Sequence, residues 1–469
     1  MNHPIAIDLP KLFDLALHHI EEMDWTRAAE VLCKVLAADP DNPDALHLMG
    51  VTAHRAGLSE SAVGLIERAI RLKPREPRYY SNCGEIYRRM GKLDPAVAYL
   101  RQALLLDPQY SMAHGNLGSA LLDQGKTIQA IDSLRTAIRL DPGNAEAHWN
   151  LSLALLVTGN FEDGWKEYDW RWEANQKQAK RRYPQPQWDG SDPSGCTILL
   201  YSEQGLGDTL QFVRYVPLVA ARAGKVVVEC RPELRRLLES MPEILLAVTG
   251  ESLPQFDVHL PVLSLPRVFR TTLENIPARV PYLLPRPDLV RWWQEQGGFD
   301  RDRLNVGLAW AGSRNHVNDR NRSFPFDTFL PLLDVPGVVF YSLQKGDAAG
   351  SSPIPRTNTS LVDLTDDLAD FADTAALVSN LDLIISVDTA VAHLAGALAK
   401  PVWTLLPCVP DWRWMLERDD SPWYPTMKLL RQTIPGDWAS VIRSVAEELT
   451  ACACRQRNLL PASQGCIAG

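Results

Sequence analysis

The chain's best candidates for chemistry lie where an apolar run from Leu381 to Val387 gives way to Asp388-Thr389 and a small-residue segment carrying His393. A continuous apolar run of this kind suits a strand buried on both faces of a parallel sheet. Open α/β sheets bind ligands at the carboxyl ends of their strands, and a helix N-terminus offers N–H groups and positive potential to a phosphate. Thr389 and His393 are spaced i, i+4, so one helical face carries both. These residues read as a site for a phosphate-bearing ligand. On their own they read equally well as an Asp cap beside a packed histidine.

Similar strand-to-turn passages occur upstream. Thr197 to Tyr201 reads as a strand, followed by Ser202-Glu203-Gln204-Gly205-Leu206-Gly207-Asp208-Thr209. Gly205 and Gly207 let the backbone turn tightly, and Asp208 opens a helix with Phe212, Tyr215 and Val216 on one face. A plain strand-to-helix turn would need the same glycines. Further on, the strand Asn305 to Trp310 ends in Ala311-Gly312-Ser313-Arg314, before Arg322-Ser323-Phe324-Pro325, and Val338 to Leu343 ends in Gln344-Lys345-Gly346. Trp310, Trp412, Trp423 and Tyr424 suit either a ligand pocket or a core.

The elements that position these turns form two similar αβα units after about residue 196, which implies two Rossmann-like halves facing across a cleft. A length of 469 residues is too great for one core. The net charge of −9 argues against a nucleic-acid binder or a basic membrane-surface protein. No apolar run approaches the ~20 residues that span a bilayer, and Met1-Asn2-His3-Pro4 does not begin a secretory signal, so a cytoplasmic location is expected. The cysteines are scattered, and the spacing of Cys452, Cys454 and Cys466 matches no usual metal-ligand pattern.

The first third is repetitive. Pro40, Pro74, Pro108 and Pro142 recur at a strict interval of 34 residues, as do Gly50, Gly84 and Gly118, and Ala28, Ala62, Ala96 and Ala130. This is the period of a two-helix repeat, with small residues where paired helices cross. The stretch 9–172 resembles tetratricopeptide repeats, four of them plus a partial fifth, although Leu46, His114 and Ser152 depart from the usual pattern. Such a solenoid presents a concave groove suited to a protein segment, or serves as a structural or dimerising arm. Trp165, Tyr168, Trp170 and Trp172 are expected to cap the last repeat, with a linker over 173–195.

Taken together, Gly207-Asp208-Thr209-Leu210, Arg322-Ser323-Phe324-Pro325, Asp388-Thr389 and His393 resemble the bacterial heptosyltransferases, which have the two-domain fold called GT-B. The whole chain is similar to bacterial proteins that fuse tetratricopeptide repeats to such a domain, some of them protein or flagellin glycosyltransferases. The resemblance implies an α + α/β architecture: the solenoid, an acceptor-side Rossmann-like domain over 196–286, a donor-side one over 300–450, and a tail over 451–469. It implies inverting, metal-independent sugar transfer from a nucleotide-sugar donor without a cofactor, the acceptor being a protein held in the repeat groove. A lipid-linked or polysaccharide acceptor, a non-catalytic scaffold and homo-oligomerisation stay open. Asp208 takes the place of the general base, and Gly207, Ser313, Arg322, Gln344, Lys345, Asp388, Thr389 and His393 fall to the donor. Arg322 stands where the family has Lys; it keeps the charge and adds a fork suited to phosphate oxygens. The family's acidic residue near Gln344-Lys345 is absent or displaced, so the donor's base and sugar are not fixed by the resemblance. An inverting transfer needs a carboxylate to take the acceptor's proton and positive charge on the departing diphosphate, which Arg322, Lys345 and the Thr389 helix start offer.

Overall fold

The structure, a computed structural model, describes residues 8–174, 181–316, 318–345 and 361–459. Residues 175–180 of the expected linker, Gly346 and Cys466 lie outside the described residues. The chain divides into two compact units, Met1–Thr158 with Lys166–Ala179, and Gly159–Trp165 with Lys180–Gly469.

The first unit is a tetratricopeptide solenoid built from antiparallel helix pairs: Leu9–Glu21 with Trp25–Ala38, Pro43–Arg55 with Ser59–Leu72, Pro77–Arg89 with Leu93–Leu106, and Ser111–Asp123 with Thr127–Leu140. Ala145–Val157 opens the next repeat. The small-residue period has a steric cause. A Cβ on Gly50, Gly84 or Gly118 would fall 2.5, 2.6 and 2.5 Å from Ile66, Leu100 and Leu134 of the paired helix. Each pair thus crosses with a branched side chain seated on bare backbone, and Ala62, Ala96 and Ala130 are wholly buried beside it. Gly57, Gly91 and Gly125 share the same spacing at the helix ends, with φ of 86°, 78° and 73°, the left-handed conformation that glycine adopts without strain. Tyr168 packs on Trp149 at 5.0 Å and Trp170 stacks on His148 at 4.1 Å in this unit.

The second unit holds two parallel sheets. The first contains β1 (Thr197–Tyr201), β2 (Lys225–Cys230), β3 (Leu245–Val248) and β4 (Val258–Pro261) in the order β3-β2-β1-β4. The second contains β5 (Leu304–Ala309), β6 (Val338–Ser342), β7 (Leu361–Asp363), β8 (Leu383–Val387), β9 (Val402–Leu406) and β10 (Met427–Arg431), in the order β10-β9-β8-β5-β6-β7. Counted from β5, that is the doubly wound order with its reversal between β5 and β8. Every residue of β6, β8 and β9 is buried, as the continuous apolar runs require. The architecture is therefore an α-solenoid followed by GT-B-like α/β domains.

Some elements differ from the sequence reading. Gln187, in the expected linker, pairs in parallel with His259 beside β4, and Trp188 is buried there. The last helix runs on from Trp438 to Leu459 with Ala453 in the core, since no Gly or Pro interrupts 450–459. Trp165 belongs to the second unit, where its indole N–H donates to Thr271 O at 3.1 Å and its ring meets Trp412 edge-on at 5.2 Å.

The glycine crossings carry a test. Gly118→Val places a branched side chain into Leu134 and Ala130, and overpacking of this kind costs about 2 kcal/mol. The urea midpoint of an isolated 1–158 fragment should fall accordingly, and an unchanged midpoint would show that the crossing has room to spare.

Candidate functional site

The turn after β1 is built to present Asp208. Ser202 Oγ donates to Glu229 O at 3.2 Å, and Thr209 Oγ1 donates to Ser202 Oγ at 3.1 Å, which ties the helix Leu206–Phe212 to the strand end. Asp208 Oδ2 accepts the Gly205 N–H at 2.8 Å, while Oδ1 accepts from Arg413 Nη2. A carboxylate has about four lone-pair sites, so one free site on each oxygen survives these bonds.

The opposite wall stands at the reversal between β5 and β8, where a doubly wound sheet opens its crevice. Thr389 caps the helix Ala390–Ala397 without a side-chain bond to it, its hydroxyl instead 3.0 Å from Ser386 Oγ. Arg322 Nη1 donates to Asp388 O at 2.9 Å, and a Cβ on Gly312 would lie 2.5 Å from Arg322 Nη2, so Gly312 makes room for the guanidinium. Gln344 spends its amide on the end of β5: Oε1 accepts from Trp310 N and Ala311 N at 3.0 and 2.9 Å, and Nε2 donates to Ala311 O at 3.0 Å. Its place is therefore beneath the loop, holding the turn that leads to Ser313. Ser313 and Lys345 are exposed.

The two walls meet at Gly207. A Cβ there would fall 2.9 Å from His393 Cδ2 and 3.4 Å from Ala390 Cα, so the two helix starts touch through a bare glycine. His393 is buried, its ring stacked on Trp414 at 5.2 Å. Its Nδ1 lies 2.9 Å from Tyr424 Oη and its Nε2 lies 3.9 Å from Asp388 Oδ1. Burial, reinforced by Arg413, Arg214 and Arg322, holds the imidazole well below its usual range, so the ring is neutral. A proton on Nε2, facing the carboxylate, leaves Nδ1 to accept from the tyrosine. Burial and then the charge of Asp411 push the Asp388 carboxyl up to about 6, against the pull of Arg322.

The structure thus brings Gly207, Asp208, Arg322, Asp388, Thr389 and His393 together, sets Gln344 behind the loop, and leaves Ser313 and Lys345 exposed beyond the ends of β5 and β6. Trp310, Trp412, Trp423 and Tyr424 are all buried and act in packing. Sequence reasoning missed Arg413, Asp411, Arg214 and His316. Arg214 donates to Gln211 O, Trp423 O and Tyr282 Oη at 2.8, 2.7 and 3.0 Å, joining the two halves. The imidazole of His316, on the loop after β5, is held below its usual range by desolvation and by Arg322, with Asp411 and Asp208 acting the other way. The signal available was the run Asp411-Trp412-Arg413-Trp414, an arginine between two indoles with an acid two residues before it, which is how a buried ion pair reads.

Residues 363–410 match glycosyltransferase family 9 (heptosyltransferase), a span that includes Asp388, Thr389 and His393. Tetratricopeptide-repeat families match 19–86, 77–110 and 118–159. The chain joins tetratricopeptide repeats to a heptosyltransferase-like domain. Protein FlbA of Caulobacter vibrioides is 28% identical over 320 residues, which is 62% of this chain and 52% of FlbA. The chain thus spans about half the length of that relative. Among solved structures, MamA is 22% identical over 38% of this chain and 98% of its own, with a TM-score of 0.30. A thermophilic tetratricopeptide-repeat protein of Thermus thermophilus is 22% identical over 36% of this chain and 92% of its own, with a TM-score of 0.33. Among the described residues no helix is long and apolar enough to cross a membrane.

The raised Asp388 value has a thermodynamic consequence. The folded chain binds this proton more tightly than an unfolded aspartate, whose value is ~3.9. Its contribution is therefore harmless below about pH 4, costs stability as pH rises toward 6, and stays unfavourable above that. A rise of about two units corresponds to at most about 3 kcal/mol. Asp388→Asn should raise the urea midpoint at about pH 8 and leave it unchanged near pH 4; an equal effect at both would contradict the assignment.

Proposed function

We propose that the α/β unit is an inverting glycosyltransferase that moves a sugar from a nucleotide-sugar donor to an acceptor chosen by the repeats, a protein. The observation that carries this reading is the packing of the Asp208 turn on the helix that starts at Thr389. It sets a carboxylate with free lone pairs on one side of the crevice and a phosphate-type site on the other. The donor diphosphate rests against the Thr389 helix start and Arg322, where N–H groups and a fixed guanidinium offset its charge. Asp208 takes the proton of the acceptor hydroxyl as its oxygen attacks the anomeric carbon; the bond to the diphosphate breaks, and the diphosphate leaves with both electrons. Neutral His393 and Asp388 shape the floor, and Ser313 and Lys345 reach the donor from the rim. The repeat groove supports a protein acceptor, because a solenoid offers an extended concave surface. With charge compensation supplied by Arg322 and the helix start, the reaction runs without a metal.

The decisive experiment is Asp208→Asn, which keeps size and one oxygen for the Gly205 N–H but removes the proton acceptor, together with the acceptor for Arg413. After a nucleotide-sugar screen with intact-mass readout identifies the transfer, the variant should bind donor normally and lose about 10²–10⁴-fold in rate. Near-normal turnover would end the assignment of Asp208 as base. Charge compensation is tested separately. A nucleoside diphosphate at about 100 times its dissociation constant should stabilise the protein by about 2.7 kcal/mol in EDTA as well as in magnesium. Stabilisation that disappears in EDTA would replace Arg322 with a cation in this role.

A further inference from the structure

We propose that Arg413 is a positioning residue that holds the Asp208 carboxylate in place at the seam of the two α/β halves. The inference rests on the reading of Asp208 as base. Arg413 lies in the short turn Trp412–Trp414, and its side chain is 8% exposed. Each of its guanidinium nitrogens has a partner. Nη2 donates to Asp208 Oδ1, Nε donates to Gln211 Oε1 at 2.6 Å, and Nη1 donates to Asp411 Oδ1 at 2.9 Å.

Asp208 and Gln211 stand i, i+3 on one helix face, so the planar fork reads two side chains of the first half at once. Asp411 anchors the other side of the fork, and its Oδ1 also accepts the Arg413 backbone N–H at 3.0 Å. The guanidinium lies 4.5 Å from the centre of the Trp412 ring, which fixes its plane. A carboxylate tied to such a group has one oxygen held and the other turned to Gly205, which leaves its remaining lone pairs aimed at a defined point. Among the described residues Arg413 is the one charged group that hydrogen-bonds the carboxylate.

The test is steady-state kinetics of the full-length protein on the transfer found by the nucleotide-sugar screen. Arg413→Gln should lose about 10²-fold in kcat with the donor KM unchanged, the effect of a misplaced base. Arg413→Lys, which keeps a charge but cannot reach all three partners, should recover only part of that loss. Added to Asp208→Asn, Arg413→Gln should lower the rate little further, because groups that act as a unit are not additive. If Arg413→Gln does not fold, Gln211→Leu, which removes one partner of the fork and leaves the arginine, decides the matter by a loss in kcat at unchanged donor KM. Full activity of these variants, or a double variant whose loss is the product of the two single losses, would reduce Arg413 to a packing role. Full activity of Asp208→Asn would overturn the base itself, so the two failures are distinguishable.

Discussion

The α/β unit depends on one close approach, the start of the helix Leu206–Phe212 lying on the start of the helix Ala390–Ala397 with only Gly207 between them. A Cβ at that point would overlap His393, so any other residue would push the two strand-end crevices apart. Nearby contacts follow the same logic. Gly396 leaves bare backbone under the Tyr424 ring, which a Cβ would meet at 2.5 Å, and Tyr424 in turn holds the His393 imidazole. Small residues here do what side chains do elsewhere: they set the distance across which charge acts.

Charge at this seam is organised by arginines. Arg322, Arg413 and Arg214 are spread along it, and their partners differ in kind. Arg413 is matched by two carboxylates, Arg322 by a carbonyl and the edge of Asp319 at 3.6 Å, and Arg214 by carbonyls, a phenol and the rings of Tyr424 and Tyr282 at 4.5 and 4.7 Å. Paired burial of this sort adds little net stability, since desolvation offsets most of the attraction, but losing one partner is costly. Its value lies in geometry. The raised Asp388 carboxyl belongs to the same arrangement, because it stands within the field of Asp411 while its own backbone carbonyl, rather than its side chain, takes the Arg322 bond.

Much of this was legible in the chain. The repeats could be read because glycine, alanine and proline answer to a single steric requirement that recurs every helix pair. β1 and β8 could be read because strands buried on both faces are written as mostly apolar runs, with only the small Ser386 interrupting β8. β3, β7 and β10 were not recognised. They are edge strands, short or interrupted by charge as Met427–Arg431 is by Lys428, and a partly exposed edge has no distinctive pattern. At the site, residues adjacent to strand ends were found from their position alone, whereas Arg413 and Arg214 were not. Their partners lie more than 200 residues away in Asp208 and Trp423, and no local spacing encodes such a pairing. Gln344 shows the reverse case: a polar side chain at a strand end looked like a ligand contact, yet it finishes the backbone hydrogen bonding of the neighbouring strand.

Arg214 shows how a buried cation can be held without a carboxylate. Among the described residues its hydrogen bonds go to neutral oxygens on Gln211, Trp423 and Tyr282. Its charge lies against ring faces instead, those of Tyr424, Tyr282 and Trp423 at 4.5, 4.7 and 5.5 Å. Loss of the guanidinium would leave buried acceptors on both sides without a donor, so both halves answer to a change at this one side chain.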